Sequence, residues 1–387
     1  MRVCFVTTAF PRWLGDGQAA FVWEAVRAIA RQGIDVRVIA MHSPGLPIRE
    51  RMEGIEIVRP RYWWPESWEM LRREGAAGLP ATWQKYPQAR LQILPFFLVH
   101  TVAAARYARS CDVVHAEWTL SGAAALASRW LHQRPVMVTL QGSDIFQVTR
   151  HRLGAWLTRS VLRRCDRISA LSNALRDSTA ASGVPADRVQ IIPNGVDTRS
   201  FVPPQEDSRE SIILYVGTFI KRKGLTYLLE AFRDVLAAHP KYRLVLIGEG
   251  PQSPDLRRHA ESLGVAEHVS FIEFLPQEQV KEWMQRAKVF VLPSLEEGMG
   301  VVLLEAMACG TPLVASRVDG IKDVVVPDVG ILVPPADVRS LSEAICSLLG
   351  ERDEWERMSQ SARELAVSRY DWDKIARQYV ELYRSMV

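Results

Sequence analysis

The residues best suited to chemistry lie in one stretch. Glu297 and Glu305 stand eight positions apart and flank Gly298-Met299-Gly300. The preceding Val289–Leu292 reads as a buried strand, and the glycines open a helix from about Val301 to Cys309. A helix that starts on glycines presents free backbone N–H groups and a positive dipole end, a ready place for a diphosphate. The carboxylates repel phosphate and need another partner. A vicinal diol on ribose or hexose offers an acceptor-only carboxylate two donors. One phosphate cradle flanked by two hydroxyl acceptors describes a nucleotide-sugar site. An ordinary helix start, with acidic residues favouring the dipole, satisfies the same spacing.

The wider pattern resembles the retaining glycosyltransferases of family 4, whose Glu-x7-Glu signature matches Glu297 and Glu305. The similarity continues through Ile192-Pro-Asn-Gly-Val-Asp197 with Phe201, Val216-Gly-Thr-Phe-Ile-Lys-Arg-Lys-Gly224, Ile247-Gly-Glu-Gly250 and Tyr370-Asp-Trp372. It implies an α/β chain of the GT-B type: two Rossmann-like, doubly wound domains facing a cleft, with a C-terminal helix crossing back to the N-terminal domain. It also implies transfer of a hexose from a UDP- or GDP-sugar to an acceptor hydroxyl, the donor being substrate and no cofactor being needed. Two rivals stand beside it: a UDP-sugar 2-epimerase of the same fold, and a non-catalytic nucleotide-sugar-binding subunit.

The resemblance distributes roles. Lys223 is the cation expected on the leaving diphosphate, because its turn follows the strand Ser211–Gly217 and ends at Gly224. Family members often carry Arg where this chain has Thr218, so Arg222 or Lys221 is a candidate for the missing charge. Glu305 is expected on the ribose diol and Glu297 on the transferred hexose. Gly298, Met299, Gly300 and Val301 place amides near sugar and phosphate, and Gly217 and Leu275 complete the donor-binding set. Base contacts around Phe274–Leu275 run through the backbone and leave little trace in sequence.

In the N-terminal half, Gly15 and Gly17 allow the loop after the first strand to approach the diphosphate, or form a plain surface turn. Gln141 stands where the family commonly has His; it can hydrogen-bond but cannot titrate. A retaining front-face reaction tolerates that, since the leaving phosphate can take the acceptor proton. Asp144 either orients the acceptor or caps the following helix. His115, at a strand end, is a catalytic candidate or a structural histidine. No strand-end Asp-x-Asp occurs, so no divalent-metal site is expected and the diphosphate is left to cations and the helix dipole.

The elements that must position these residues follow a β-α-β rhythm, which predicts parallel, doubly wound sheets. Strands are expected at Arg2–Thr8, Asp35–Met41, Asp112–His115, Pro135–Leu140, Arg167–Ala170 and Val189–Ile192, with a helix at Ala19–Gln32. After a linker at Asp197–Glu210 containing Pro203-Pro204, the rhythm restarts. Strands then follow at Ser211–Gly217, Arg243–Gly248, His268–Phe271, Val289–Leu292, Pro312–Ala315 and Gly330–Val333, and Arg352–Val387 is helical. This gives an acceptor-side domain over 1–200, a nucleotide-sugar domain over 211–369 and a crossover helix over 370–387.

At 387 residues the chain suits two cores. Its 48% hydrophobic and 24% charged content is that of a soluble globular protein. The five cysteines show no metal-ligand or disulfide spacing and fit a reducing, cytoplasmic setting. No secretory signal is visible, and the apolar run Leu91–Ala105 is shorter than the roughly 20 residues that span a bilayer. Residues 1–200 hold 26 Lys and Arg against 16 Asp and Glu, net +10, whereas the remainder holds 22 against 28, net −6.

A basic N-terminal half suits an anionic membrane surface or a phosphate-bearing acceptor. Nucleic acid is excluded for want of any recognition motif. The insertion at 61–90 interleaves Trp63, Trp64, Trp68 and Trp83 with Arg61, Arg72, Arg73, Lys85 and Arg90. It suits a membrane interface, stacking on a sugar, or a loop anchored by its own tryptophans. A lipid-linked or growing surface glycan at the inner membrane face is therefore the expected acceptor.

Overall fold

A computed structural model describes all residues except 18, 73–81, 83–85, 143–144, 146–148, 150–151 and 206–208. Asp144, Trp83 and Lys85 lie outside the described residues. Two compact units divide the chain: Met1–Pro193 with Asp373–Val387, and Asn194–Trp372. The expected division at 200 and 370 is thus displaced by a few residues, because 194–198 pairs with the end of the second unit. Val196 bridges Asp371, and the Val196 amide donates to the Tyr370 carbonyl at 2.8 Å.

The first unit holds an eight-stranded sheet of β1 (Arg2–Val6), β2 (Asp35–Ile39), β3 (Arg49–Met52), β4 (Ile55–Val58), β5 (Val113–Glu117), β6 (Val136–Leu140), β7 (Arg167–Ala170) and β8 (Val189–Ile191). The spatial order is β3-β4-β2-β1-β5-β6-β7-β8. The central strands are buried along almost their whole length, as valine-rich parallel strands covered on both faces should be. The edge hairpin β3–β4 is antiparallel and was not foreseen. Its charged Arg-Glu-Arg-Met strand hides the pattern, but Glu53 and Gly54 turn it with φ of +46° and +84°, the left-handed pair that tight hairpins need. Strand β5 runs two residues beyond the predicted His115, which puts Glu117 at the strand end.

The C-terminal segment packs in this unit through Tyr379 and Tyr383, both buried beside His115. The helix Ile93–Tyr107 buries Phe96, His100 and Ala103–Ala105, with Pro95 tolerated in its first turn. With its flanking turns the helical run Pro87–Ser110 reaches 24 residues. Among the described residues it is the one helix long and apolar enough to cross a membrane, where the sequence had suggested too short a run.

The second unit holds β9 (Ile212–Val216), β10 (Arg243–Ile247), β11 (Val269–Ile272), β12 (Val289–Leu292), β13 (Leu313–Ser316) and β14 (Gly330–Val333), all parallel. Their order is β11-β10-β9-β12-β13-β14. Winding reverses between β9 and β12, the switch point at whose carboxyl ends open α/β sheets hold their ligands. The loop after β9 carries Lys223 and the loop after β12 carries Glu297.

Candidate active site

The two switch-point loops are laced together by backbone. Beyond β9 the chain makes a short 3-10 turn, Lys221–Lys223, and enters the helix Leu225–Ala238 through Gly224 at φ +68°. A Cβ on Gly224 would lie 2.1 Å from the Pro293 carbonyl oxygen, so only glycine lets the loops approach this closely. The Leu295 amide donates to the Arg222 carbonyl at 2.7 Å. This contact brings the Lys223 ammonium onto the Glu297 carboxylate as an ion pair, with both side chains nearly buried.

Glu297 is held from several sides. Its Oε1 accepts from the Gly298 amide at 3.1 Å, and the Ser294 hydroxyl lies 3.5 Å from Oε2. Burial alone would raise its pKa, but the Lys223 charge and hydrogen bond, the Arg222 charge and the Gly298 amide outweigh it and hold it below the usual glutamate range. Glu297 is therefore an anion flanked by cations. Such a group accepts hydrogen bonds from hydroxyls and cannot act as a proton donor at neutral pH.

The helix Val301–Ala308 begins at Gly300, which sits at φ +76° with Leu292 and Leu303 against it. No side chain caps its first turn, leaving amide donors for an anionic ligand. Met299 turns inward: it is buried, and its Sδ accepts from the Asn194 amide at 3.3 Å. Only its backbone remains to serve a ligand. Glu305, one turn into the helix and half-buried, accepts from the Gln277 amide nitrogen at 3.2 Å. Gln277 opens the helix Gln277–Arg286 two residues after the half-buried Leu275, so the expected ribose acceptor and the expected base loop are neighbours. Sequence reading missed Gln277, since a lone amide at a helix start carries no signal. It also missed Gly320, whose added Cβ would lie 2.3 Å from the carbonyl oxygens of Glu297 and Gly298.

In the first unit, Gly15 and Gly17 are exposed on the loop after β1, Gly15 at φ +89°. Between them Asp16 is buried and gripped by Arg12, whose Nε and Nη2 donate at 2.8 and 3.2 Å. Gln141, half-buried at the end of β6, donates to Glu117 at 2.8 Å. Glu117 itself is buried and escaped notice because its strand was ended too early. Trp118 follows at φ +64°, a conformation that costs a bulky residue energy and that often marks functional loops.

His115 is a correction. It is fully buried, and its two ring nitrogens bond Tyr383 Oη and Thr139 Oγ1, each at 2.6 Å. Its ring lies on Phe5 at 4.1 Å, and burial pulls its pKa down to about 3. A neutral imidazole with both nitrogens occupied is a structural pin between the sheet and the C-terminal segment, not a catalytic base. Among the described residues, no three His, Cys, Asp or Glu side chains converge as metal ligands would.

Two family models match the chain: Glycosyltransferase Family 4 over residues 15–200 and Glycosyl transferases group 1 over residues 197–365. The 2-deoxystreptamine N-acetyl-D-glucosaminyltransferase of Streptomyces fradiae is 30% identical over 93% of this chain and 89% of its own. The chain belongs to glycosyltransferase family 4. Sucrose-phosphate synthase from Thermosynechococcus elongatus shares the fold at a TM-score of 0.81, with 23% identity, over 100% of this chain and 98% of that one. So does Anabaena HepE in complex with UDP-glucose, at 0.76 and 17%, over 100% of both chains. The glycosyltransferase thus has the GT-B architecture that its motifs implied, with the Glu297–Lys223 pair on the second of its two Rossmann-like units.

Proposed function

We propose that this glycosyltransferase moves a hexose from a UDP- or GDP-sugar to an acceptor hydroxyl with retention of anomeric configuration. The donor is held by the second unit and the acceptor is selected by the first. The observation that carries the reading is the pairing of Lys223 with Glu297 at the β9/β12 switch point, beside the uncapped helix start at Gly300. Departure of a nucleoside diphosphate leaves negative charge on its terminal phosphate. Lys223, Arg222 and the first-turn amides are preorganised to meet that charge, a contribution worth several kcal/mol when donors are fixed in place. No divalent cation is required for this step. The Glu297 carboxylate orients the hexose through its hydroxyls, and Glu305 orients the ribose.

In the front-face reaction the acceptor oxygen bonds the anomeric carbon as the carbon–phosphate oxygen bond breaks. The acceptor proton passes to the departing phosphate, so Gln141 need only hydrogen-bond. The acceptor is proposed to be a lipid-linked or growing surface glycan reached from the cytoplasmic face of the membrane. UDP is among the ligands named for related structures, which favours testing it first. The test is a thermal-shift series with UDP, GDP and their sugar conjugates, followed by transfer assays with the donor that binds. A stabilising diphosphate is expected to raise the melting temperature by mass action, and Lys223→Ala to abolish the rise. No response from the wild type to any nucleoside diphosphate would reject the donor-site assignment.

A further inference from the structure

We infer that the outer face of the helix Ile93–Tyr107 docks on an anionic lipid bilayer. Leu91, Leu94, Leu98 and Val102 recur at spacings of three, four and four, which is one face of a helix. They are 74, 65, 54 and 67% exposed, respectively. Single exposed leucines need no explanation, but four in one stripe along roughly 20 Å of helix do. The stripe is continued by exposed tryptophans. The Gln92 side chain is clamped to the 68–70 backbone, donating to the Trp68 carbonyl at 2.7 Å and accepting from the Met70 amide at 2.8 Å. Trp68, 63% exposed, is thereby held at the N-terminal end of the helix. At the other end the short helix Arg129–His132 lies against 108–110, tied by Arg109 Nε donating to the Leu131 carbonyl, and carries Trp130 at 74% exposure.

Charge selects the occupant. No Asp or Glu occurs between Glu74 and Asp112, nor between Glu117 and Asp144, while Arg90, Arg106 and Arg109 are exposed beside the stripe. The acids nearest the flanking tryptophans are held by arginines, Glu66 by Arg61 and Asp166 by Arg129, so an aliphatic stripe with tryptophans towards its ends and an arginine-rich rim matches the boundary between acyl chains and anionic headgroups. The helix lies on the bilayer and does not cross it, because its other side (Phe96, His100, Ala104) is built into the core of the unit. Trp63 belongs to that inner side, packed on the cluster of Met41, Tyr62, Leu71, Ala89 and Phe96, so the tryptophan-rich insertion both anchors the helix and extends its outer face.

This deepens the membrane-face reading of the acceptor and needs nothing from the transfer chemistry. The test floats the full chain with vesicles of phosphatidylcholine, with and without phosphatidylglycerol. The wild type is expected to partition onto the anionic vesicles, L94S/L98S about tenfold less, and R90Q/R106Q several-fold less. Both variants change exposed positions and should keep the wild-type melting temperature. Equal binding by wild type and L94S/L98S, or equal binding to neutral and anionic vesicles, overturns the inference. So does a wild-type dimer that ignores vesicles and is split by L94S/L98S, since a second copy then covers the face. Thermal-shift donor binding is read separately, so failure here leaves the donor-site assignment standing.

Discussion

Lys223 and Glu297 form the ion pair that joins the two loops at the reversal of the second sheet, with side chains only 12 and 11% exposed. Removing one partner strands the other charge in a desolvated site. Lys223→Met should therefore destabilise the protein by about 3 kcal/mol and lower kcat at least about a hundredfold. Lys223→Met/Glu297→Gln should regain most of the stability and none of the turnover. The pH dependence has a definite sign. The folded pKa of Glu297 lies below its ordinary value of 4.5, so the pair's contribution is full above that pH and is lost as pH falls below it. Urea midpoints of wild type and Lys223→Met measured from pH 7 to pH 3 should converge below pH 4.5. Parallel curves would show that Glu297 does not depend on Lys223.

Glu305 accepts from Gln277, and we propose the same carboxylate as the acceptor for the ribose hydroxyls. Losing a hydrogen bond to a charged acceptor costs about 1.5–3 kcal/mol, so Glu305→Ala should raise the donor KM roughly 10- to 100-fold. If the contact is equal in ground and transition states, kcat should change little. Gln277→Ala, which frees the carboxylate without removing it, should raise KM only a few-fold. A collapse of kcat with unchanged KM in Glu305→Ala would move the residue from the ribose to the reacting centre.

How legible this site was depended on the type of signal. Glu297 and Glu305 sit on a strand–glycine–helix grammar whose fold was legible, because a buried Val289–Leu292 run ending in Gly298 and Gly300 has few ways to fold, whereas its chemistry was not, since an ordinary helix start has the same spacing. The parallel sheets were readable for the same reason. The β3–β4 hairpin was not: an edge strand spelled Arg-Glu-Arg-Met draws its stability from pairing, and nothing in its composition says so. His115 was ambiguous because a strand-end histidine looks alike whether it faces solvent or Tyr383, more than 260 residues away in sequence. Gly320 carries no local mark at all, since the contact that requires it is with the backbone of another loop.

The burial of His115 predicts an acid-side loss of stability. Its pKa is about 3 in the folded protein against 6.5 in the unfolded chain, and that of the buried His100 is about 4. Between those limits the unfolded chain binds protons that the folded one refuses. Stability should therefore fall as pH drops below 6.5, by about 1.4 kcal/mol per pH unit for each histidine. His115→Gln should lower stability at pH 7 by about 2 kcal/mol through lost packing and hydrogen bonds, and should remove one histidine's share of the slope. Turnover of the folded fraction should stay within a few-fold of wild type. A fall of several orders of magnitude would restore a catalytic role to His115.

Gly320 tests whether the Glu297 loop must be rigid. Gly320 lies in the short helix Asp319–Lys322, and the carbonyls its added Cβ would meet at 2.3 Å are main-chain atoms that cannot rotate away. Gly320→Ala must push the loop by about 1 Å, a displacement that costs roughly a hundredfold when it misplaces a catalytic group. Gly15→Ala is the contrasting case: at φ +89° with nothing within 4 Å, it adds backbone strain of about 1 kcal/mol and no collision. The prediction is a loss of kcat/KM of at least tenfold for Gly320→Ala, with a larger fall in melting temperature than Gly15→Ala causes, because the collision adds strain that Gly15→Ala lacks. A Gly320→Ala enzyme of wild-type rate would mean that Glu297 tolerates displacement, which a carboxylate positioning the hexose at the reacting carbon cannot do.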